Sequence, residues 1–148
     1  MSLLHEAVTR DVIGLAMRVH SVLGSGYLES VYQNALAWEL RRSSHDVQCE
    51  CPLRVRYGDV VVGVFCADMV VDGCVVVENK AVRAIAPAHE AQLVSYLTTT
   101  GIEVGLLLNF GAERREYRRK TRTYRPRLSR QDEQDGQDAP VHGSDSRV

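Results

Sequence analysis

The chain has 148 residues, of which 45% are apolar, and this is enough for one globular domain with a sizeable core. No apolar run approaches the roughly 20 residues that a membrane-spanning helix needs. Residues 1–6 lack the basic-then-apolar layout of a signal peptide. We therefore expect a cytoplasmic protein that makes no membrane contact.

The net charge of −1 conceals three segments of different sign. Residues 1–113 carry 8 Lys or Arg against 13 Asp or Glu, residues 114–130 carry 9 against 1, and residues 131–148 carry 1 against 5. The chain is thus an acidic body followed by a basic segment and an acidic end. An acidic body argues weakly against tight binding of nucleic acid by a monomer.

The basic segment also contains Tyr117 and Tyr124, a pattern suited to phosphate contacts and base stacking. A solvated final strand that runs into a tail is an equally good interpretation. We expect an ordered domain over residues 1–120 and a disordered tail over residues 121–148. The four cysteines form no Cys-x-x-Cys pair and complete no zinc pattern, so we interpret them as reduced, structural thiols.

Apolar residues at helical spacing predict a first helix over residues 5–23, which Gly24 ends. A second helix is predicted over residues 28–42. Glu29 lies in its first turn, where the partial positive charge of the helix end favours a carboxylate. A first-turn acid facing water is the simpler interpretation of Glu29 alone.

Two strands are predicted next, over residues 47–57 and 60–70, and Pro52 suits an edge strand or a bulge. The second strand turns at Asp72-Gly73 into an apolar run. If the loop is these two residues, Val71 pairs with Cys74, and Asp68 faces away from Glu78. If the loop is residues 71–73, Val70 pairs with Cys74, and Asp68 lies opposite Val76 on the face of Glu78.

We expect the three-residue loop, with Gly73 in the left-handed conformation. Because side chains alternate along a strand, Asp68, Glu78 and Lys80 then share one face while Asn79 points the other way. Asp68, Glu78 and Lys80 could equally be unrelated charges that face water on an exposed hairpin, since such a pattern often arises by chance. The apolar run before Glu78 instead indicates a strand buried on both faces, where such charges are costly unless they are paired or bind a cation.

Carboxylates of this kind are typical ligands of Mg²⁺ or Mn²⁺, which bind one or two acids together with water and substrate phosphate. A neighbouring lysine can hold the attacking water or offset negative charge on a phosphoryl group. Asp68, Glu78 and Lys80 are therefore a candidate metal-dependent phosphodiesterase centre.

Pro87 and Gly101 bracket a third predicted helix over about residues 87–100, on which Gln92 and Tyr96 share a face. An ordinary half-exposed face explains that pair equally well. Residues 104–108 form a short apolar strand that is reached through the helix, so it adds to the sheet in a mixed arrangement. We expect an α/β fold with a central mixed sheet between helices.

Several motifs together resemble the GxxExxY family, a branch of the PD-(D/E)xK nuclease-like superfamily, over residues 5–120. They are, in chain order, Gly26-x-x-Glu29-x-x-Tyr32, Asp68, Glu78-x-Lys80, Gln92-x-x-x-Tyr96 and GLLLNFG at residues 105–111. The resemblance implies a restriction-endonuclease-like core with helices on both sides of a mixed sheet.

The resemblance also implies roles. Glu29, Asp68 and Glu78 would bind the metal, with the backbone carbonyl of Asn79 as a further ligand, and Lys80 would assist the water. Gln92, Tyr96 and Tyr32 would line the site or bind substrate. The family usually has an apolar residue, commonly Leu, where this chain has Asn79, and a buried amide there would need hydrogen-bond partners.

The leading hypothesis is therefore a Mg²⁺- or Mn²⁺-dependent nuclease that hydrolyses phosphodiester bonds of DNA or RNA. The alternative is a non-catalytic nucleic-acid-binding or regulatory module on the same fold, because fold alone does not fix function. A pure interaction or dimerisation domain is a third hypothesis. The oligomeric state stays open, a homodimer included.

Overall fold

The computed structural model describes residues 4–123. Three helices and five strands follow one another in the order α1 (Glu6–Leu23), α2 (Glu29–Arg42), β1 (Val47–Tyr57), β2 (Val60–Val71), β3 (Val75–Lys80), α3 (Pro87–Thr100), β4 (Val104–Asn109) and β5 (Glu116–Thr121). The predicted helices and the first four strands are all present, with ends that agree within one residue. None of the helices within this part of the chain combines the length and hydrophobicity that a bilayer crossing demands.

The five strands form one sheet in the order β1-β2-β3-β4-β5. Strands β3 and β4 run parallel, since α3 connects them, and every other neighbouring pair is antiparallel. The mixed sheet that we predicted is therefore confirmed. Strand β1 lies at one edge, as Pro52 suggested, and its irregularity lies between Val55 and Arg56.

Helices cover both faces of the sheet, so the core has two layers. The larger cluster packs α1 and α2 against one face and includes Val12, Leu36, Leu40, Val75, Val77 and Leu106. The smaller cluster packs α3 against the other face and includes Val70, Val76, Leu93, Leu97 and Leu107. Strand β3 is thus buried on both faces, as its continuous apolar run predicts.

The turn between β2 and β3 has three residues, as expected, but its position was predicted wrongly by one residue. Val71 pairs with Val75 and Val70 with Val76, so the loop is residues 72–74 rather than 71–73. Val71 stays in the sheet because it also pairs with Val47 of β1. Asp72 and Gly73 both take left-handed conformations, with φ of 53° and 68°.

Part of the basic segment forms β5, an edge strand that pairs with β4. The interpretation of this segment as a final strand is therefore confirmed for residues 116–121, which include Tyr117. Tyr124 and nearly all of the predicted tail lie outside the residues that the structure describes.

Candidate metal centre

Strands β2 and β3 diverge at Asp68 and Glu78. The ladder between them covers residues 69–71 and 75–77, and its next step sets Asp68 opposite Glu78. There the backbone amide of Asp68 donates to Glu78 Oε1 at 3.0 Å, and the amide of Asn79 donates to Asp68 Oδ2 at 2.8 Å. Each carboxylate thus bonds the backbone of the opposite strand. We call this pair of reciprocal bonds the fork.

The alternation of side chains along β2 also breaks at the fork. Phe65 and Ala67 pack in the α3 cluster, Met69 packs in the α1/α2 cluster, and Val70 packs in the α3 cluster again. Across the ladder on β1, Glu50 adopts a left-handed conformation with φ of 52°. The β1–β2 ribbon therefore turns over at this point and leaves β3, which opens the gap where Asp68 and Glu78 meet.

Burial raises the pKa of Glu78 to about 7, and the negative charge of Asp68 adds to the effect. Burial also raises the pKa of Asp68, although the hydrogen bond from the Asn79 amide opposes the shift. Asp68 Oδ1 and Glu78 Oε2 accept no hydrogen bond from the described part of the chain. Two partly desolvated acids with free oxygens therefore share the fork.

Lys80, Gln92 and Tyr96 lie together with Glu78 around one small pocket. Lys80 and Glu78 come from β3, and the other two come from the facing side of α3. Tyr96 stacks on Phe65 with ring centroids 3.7 Å apart, which fixes its ring against β2. Glu78 and Lys80 of the predicted strand motif and Gln92 and Tyr96 of the predicted helix motif therefore line the same pocket.

Glu29 reaches the end of β3 from the first turn of α2. Its Oε2 accepts a hydrogen bond from the Ala81 amide at 3.2 Å, and its charge contributes to the raised pKa of Asp68. Even so, residues 4–123 contain no group of three or more His, Cys, Asp or Glu side chains arranged to hold a metal ion. Asp68 and Glu78 form a close pair, and Glu29 stands beside them.

The family model of the PD-(D/E)XK nuclease superfamily matches residues 6–120. The chain belongs to the PD-(D/E)XK nuclease superfamily. Its five-stranded mixed sheet with flanking helices is consistent with the restriction-endonuclease-like fold. No curated protein and no solved structure gives a significant match.

Nucleases of this superfamily usually use divalent metal ions, and the donors present here fit such an ion. Mg²⁺ and Mn²⁺ prefer carboxylate oxygens, and Mg²⁺ commonly takes only one or two from the protein, with water and phosphate completing its shell. Asp68 and Glu78 supply two such carboxylates, each with a free oxygen. Burial raises both pKa values, the charge of Asp68 adds to the shift of Glu78, and the charges of Glu50 and Glu29 add to the shift of Asp68, which is the kind of strain that a bound cation relieves.

Tyr32, which we expected to line the site, lies in the core. It is fully buried, its hydroxyl donates to the Gly24 carbonyl at 2.5 Å, and its ring stacks on Phe110 at 4.7 Å. The hydroxyl also accepts from the Tyr27 amide at 3.2 Å. Tyr32 therefore holds the connection between α1 and α2, and the structure does not bring it to the pocket.

Asn79 points away from Glu78, as predicted, and is 1% exposed. Its Nδ2 contacts Met69 Sδ at 3.4 Å, a weak acceptor, and its Oδ1 has no partner within residues 4–123. The expected difficulty of burying an amide at this position is thus confirmed. Its backbone amide, by contrast, completes the fork through Asp68.

Glu50 is a fourth acid near the fork that sequence reasoning missed. Its Oε1 accepts from Gln33 Nε2 at 2.9 Å, and its charge contributes to the raised pKa of Asp68 and of Glu78. Cys66 Sγ also donates to its Oε2 at 3.6 Å. The only available signal was the position of Gln33, one helical turn after Glu29 on the same face of α2.

Asn109 fixes the chain that follows Lys80. Its Oδ1 accepts from the amides of Val82 and Gly111, both at 3.0 Å, and its Nδ2 donates to Glu116 Oε1 at 2.8 Å. The Lys80 carbonyl itself accepts from the Phe110 amide at 2.8 Å. These bonds explain the Asn-Phe-Gly that ends the GLLLNFG motif, since they lock the end of β3 to the end of β4.

Proposed function

We propose that this protein is a metal-dependent nuclease of the GxxExxY type, which hydrolyses phosphodiester bonds of DNA or RNA. The observation that carries the proposal is the fork, where Asp68 and Glu78 meet beside Lys80 in a chain of the PD-(D/E)XK nuclease superfamily. The motif from Gly26 to Tyr32 supports the GxxExxY assignment.

Asp68 and Glu78 are the proposed ligands of Mg²⁺ or Mn²⁺, with the backbone carbonyl of Asn79 and the Glu29 carboxylate as further ligands. When bound, such an ion supplies Lewis-acid polarisation of the phosphate and a water of lowered pKa. The fork suits this role because backbone amides hold one oxygen of each carboxylate and leave the other free. Two held carboxylates need little reorganisation to accept a ligand.

The charges around the fork explain why a cation is required. Glu29, Glu50, Asp68 and Glu78 concentrate negative charge there: Glu29 and Glu50 add to the raised pKa of Asp68, and Asp68 and Glu50 add to that of Glu78. A phosphodiester group would be repelled from this surface without a compensating ion. Lys80 is the basic side chain nearest to Glu78 in sequence, and it makes no ion pair within the described part of the chain.

Lys80 is therefore available to orient the attacking water and to offset negative charge that develops on the phosphoryl oxygens. Gln92 and Tyr96 line the same pocket and would hold the substrate or the water by hydrogen bonds. Two hydrogen bonds hold the elements around the fork. Glu29 accepts from the Ala81 amide and so ties α2 to the end of β3, and Glu50 accepts from Gln33 and so ties β1 to α2.

The proposal is tested by incubating purified protein with single- and double-stranded DNA and RNA in Mg²⁺, Mn²⁺ or EDTA. We expect cleavage in either metal, none in EDTA, and loss in both Glu78→Ala and Lys80→Ala. Glu113→Gln, which removes an exposed acid between β4 and β5, is the matched control and should cleave normally. Nucleic-acid binding without cleavage, unchanged in both variants, would instead identify a non-catalytic binding module.

A further inference from the structure

Strand β2 leaves most of one backbone edge without a partner in the described part of the chain. On one side it pairs with β1 from Val60 to Val71. On the other side its ladder with β3 covers only residues 69–71. Along residues 60–64, which are all exposed, the backbone groups on the β3 side are therefore open to a further strand, which is the usual template for association between chains.

The side chains of this open segment are apolar and exposed. Val60, Val61, Val62 and Val64 leave between 41% and 63% of their surface accessible. Residues 60–67 contain no charged residue and no proline, the features by which soluble proteins ordinarily protect a free edge. A β-branched, uncharged edge of this kind is strongly suited to pairing with another strand.

We propose that β2 of one molecule pairs with β2 of a second copy, antiparallel, about a twofold axis at Val62. Residues 60–64 read Val-Val-Val-Gly-Val, which is nearly the same in both directions. Val60 then meets Val64, Val61 meets Gly63, and Val62 meets its own counterpart. The two β1–β2 ribbons become one four-stranded sheet, and because each copy contributes the same β2 edge to a twofold contact, the contact is closed at two copies; the outer β1 edges carry Pro52 and the charged Arg54 and Arg56, which protect them from further pairing.

The exposed area sets the expected strength. A free Val side chain presents on the order of 100 Å², and about half remains exposed at each of these positions, so the four valines contribute roughly 200 Å² per molecule. The total of roughly 400 Å² for both copies is an upper bound, because edge pairing leaves the faces of the sheet exposed, and it is well below the about 1,200 Å² of a standard interface. Backbone hydrogen bonds supplement this area, as in other strand additions, and we expect a dimer in equilibrium with monomer.

A competing surface for self-association lies on α1 and α2, where Val22 is 75% and Trp38 is 61% exposed. Backbone groups inside helices are already paired, so that surface offers no template comparable to a free strand edge. The β2 edge is therefore the better candidate. The axis lies about 20 Å along the strand from Asp68, so pairing leaves the fork open, and the proposal does not depend on nuclease activity.

The test is sedimentation velocity of the full chain over a wide concentration range. Wild type should show a dimer fraction that grows with concentration. Val62→Lys and Val62→Glu should each remain monomeric, because like charges would face each other across the axis. An equimolar mixture of the two variants should recover the dimer. Val22→Lys is the matched control and should behave as wild type.

Several results would overturn the proposal. They are a wild type that stays monomeric, a Val62→Lys variant that still dimerises, a mixture that fails to recover the dimer, and assemblies that grow beyond two copies. Loss of the dimer in Val22→Lys would show that the interface lies on α1 and α2 instead of on β2. Hydrogen exchange on the wild type needs no variant: amides of residues 60–64 should exchange more slowly as concentration rises, and unchanged exchange in a dimer would exclude this edge.

Discussion

Two buried asparagines on neighbouring strands should respond oppositely to the same substitution. Asn79 on β3 is 1% exposed and Asn109 on β4 is 4% exposed. The Asn79 side chain has only a sulfur contact and an unpartnered Oδ1 within the described residues, whereas Asn109 makes three hydrogen bonds. We predict that Asn79→Leu stabilises the protein and that Asn109→Leu destabilises it.

The magnitudes follow from these partners. Removing a desolvated, unpartnered carbonyl stabilises the fold by about 1–3 kcal/mol. The buried Leu side chain adds apolar contacts, but its different shape in a close-packed core costs part of that stabilisation. Asn79→Leu should therefore raise the free energy of unfolding by about 2 kcal/mol. Asn109→Leu leaves the amides of Val82 and Gly111 without their acceptor, which costs about 2–4 kcal/mol in total.

Urea unfolding measures both changes, and calorimetry should show a Tm shift of about 3 °C per kcal/mol for a chain of this size. Asn34→Leu, on the exposed face of α2, is the control for the substitution itself. A loss of stability in Asn79→Leu, or a change within about 0.5 kcal/mol for Asn109→Leu, would refute the reasoning.

Three further changes test other parts of the structure. Ser44 follows α2 with φ of 71° and is exposed, so Ser44→Gly should raise the free energy of unfolding by about 1 kcal/mol; a decrease in urea melts would contradict this. The hydrogen bond that the His45 ring donates to the Asp72 carboxylate raises the pKa of His45 above 6.5, and the same bond, against the effect of burial, lowers the pKa of Asp72 below 3.8. The loss of stability in His45→Gln should therefore be greatest between pH 3.8 and 6.5. It should shrink as pH rises through the raised pKa of His45, and again as pH falls through the lowered pKa of Asp72. Thermal melts at a series of pH values that show a constant difference between variant and wild type would argue against the His45–Asp72 ion pair. Because the pKa of Glu78 is raised to about 7, ionising this side chain opposes folding. As pH rises from 4.5 to 7, the free energy of unfolding of Glu78→Gln should therefore increase relative to that of wild type by roughly 2–3 kcal/mol. A difference that stays constant over this range would count against the buried pair of Asp68 and Glu78.

Much of the fold and part of the candidate site could be predicted from local patterns. Helical spacing with Gly24, Pro87 and Gly101 located the helix ends, because capping preferences act within a few residues. The alternation of strand side chains also placed Asp68 and Glu78 on one face. Their juxtaposition survived a wrong turn position because the true register differs by two residues, which keeps the same faces of β2 and β3 opposed, even though the alternation along β2 itself breaks at Asp68.

The remaining features depend on contacts distant in sequence. The turn position depends on Val47 of β1, which keeps Val71 in the sheet. Glu50 approaches the fork because of its left-handed backbone, and nothing in its neighbourhood in the sequence indicates that conformation. Tyr32 was assigned to the site through a motif, whereas its aromatic ring was needed against Phe110 in the core.

The central claim is that Asp68 and Glu78 together hold a divalent ion, and titration calorimetry with Mn²⁺ tests it most directly. We predict saturable binding to wild type, release of protons near pH 7 because Glu78 must ionise, and loss of binding in Asp68→Asn and Glu78→Gln. Wild-type affinity that persists in both folded variants, or no uptake of Mn²⁺ by wild type, would contradict the account.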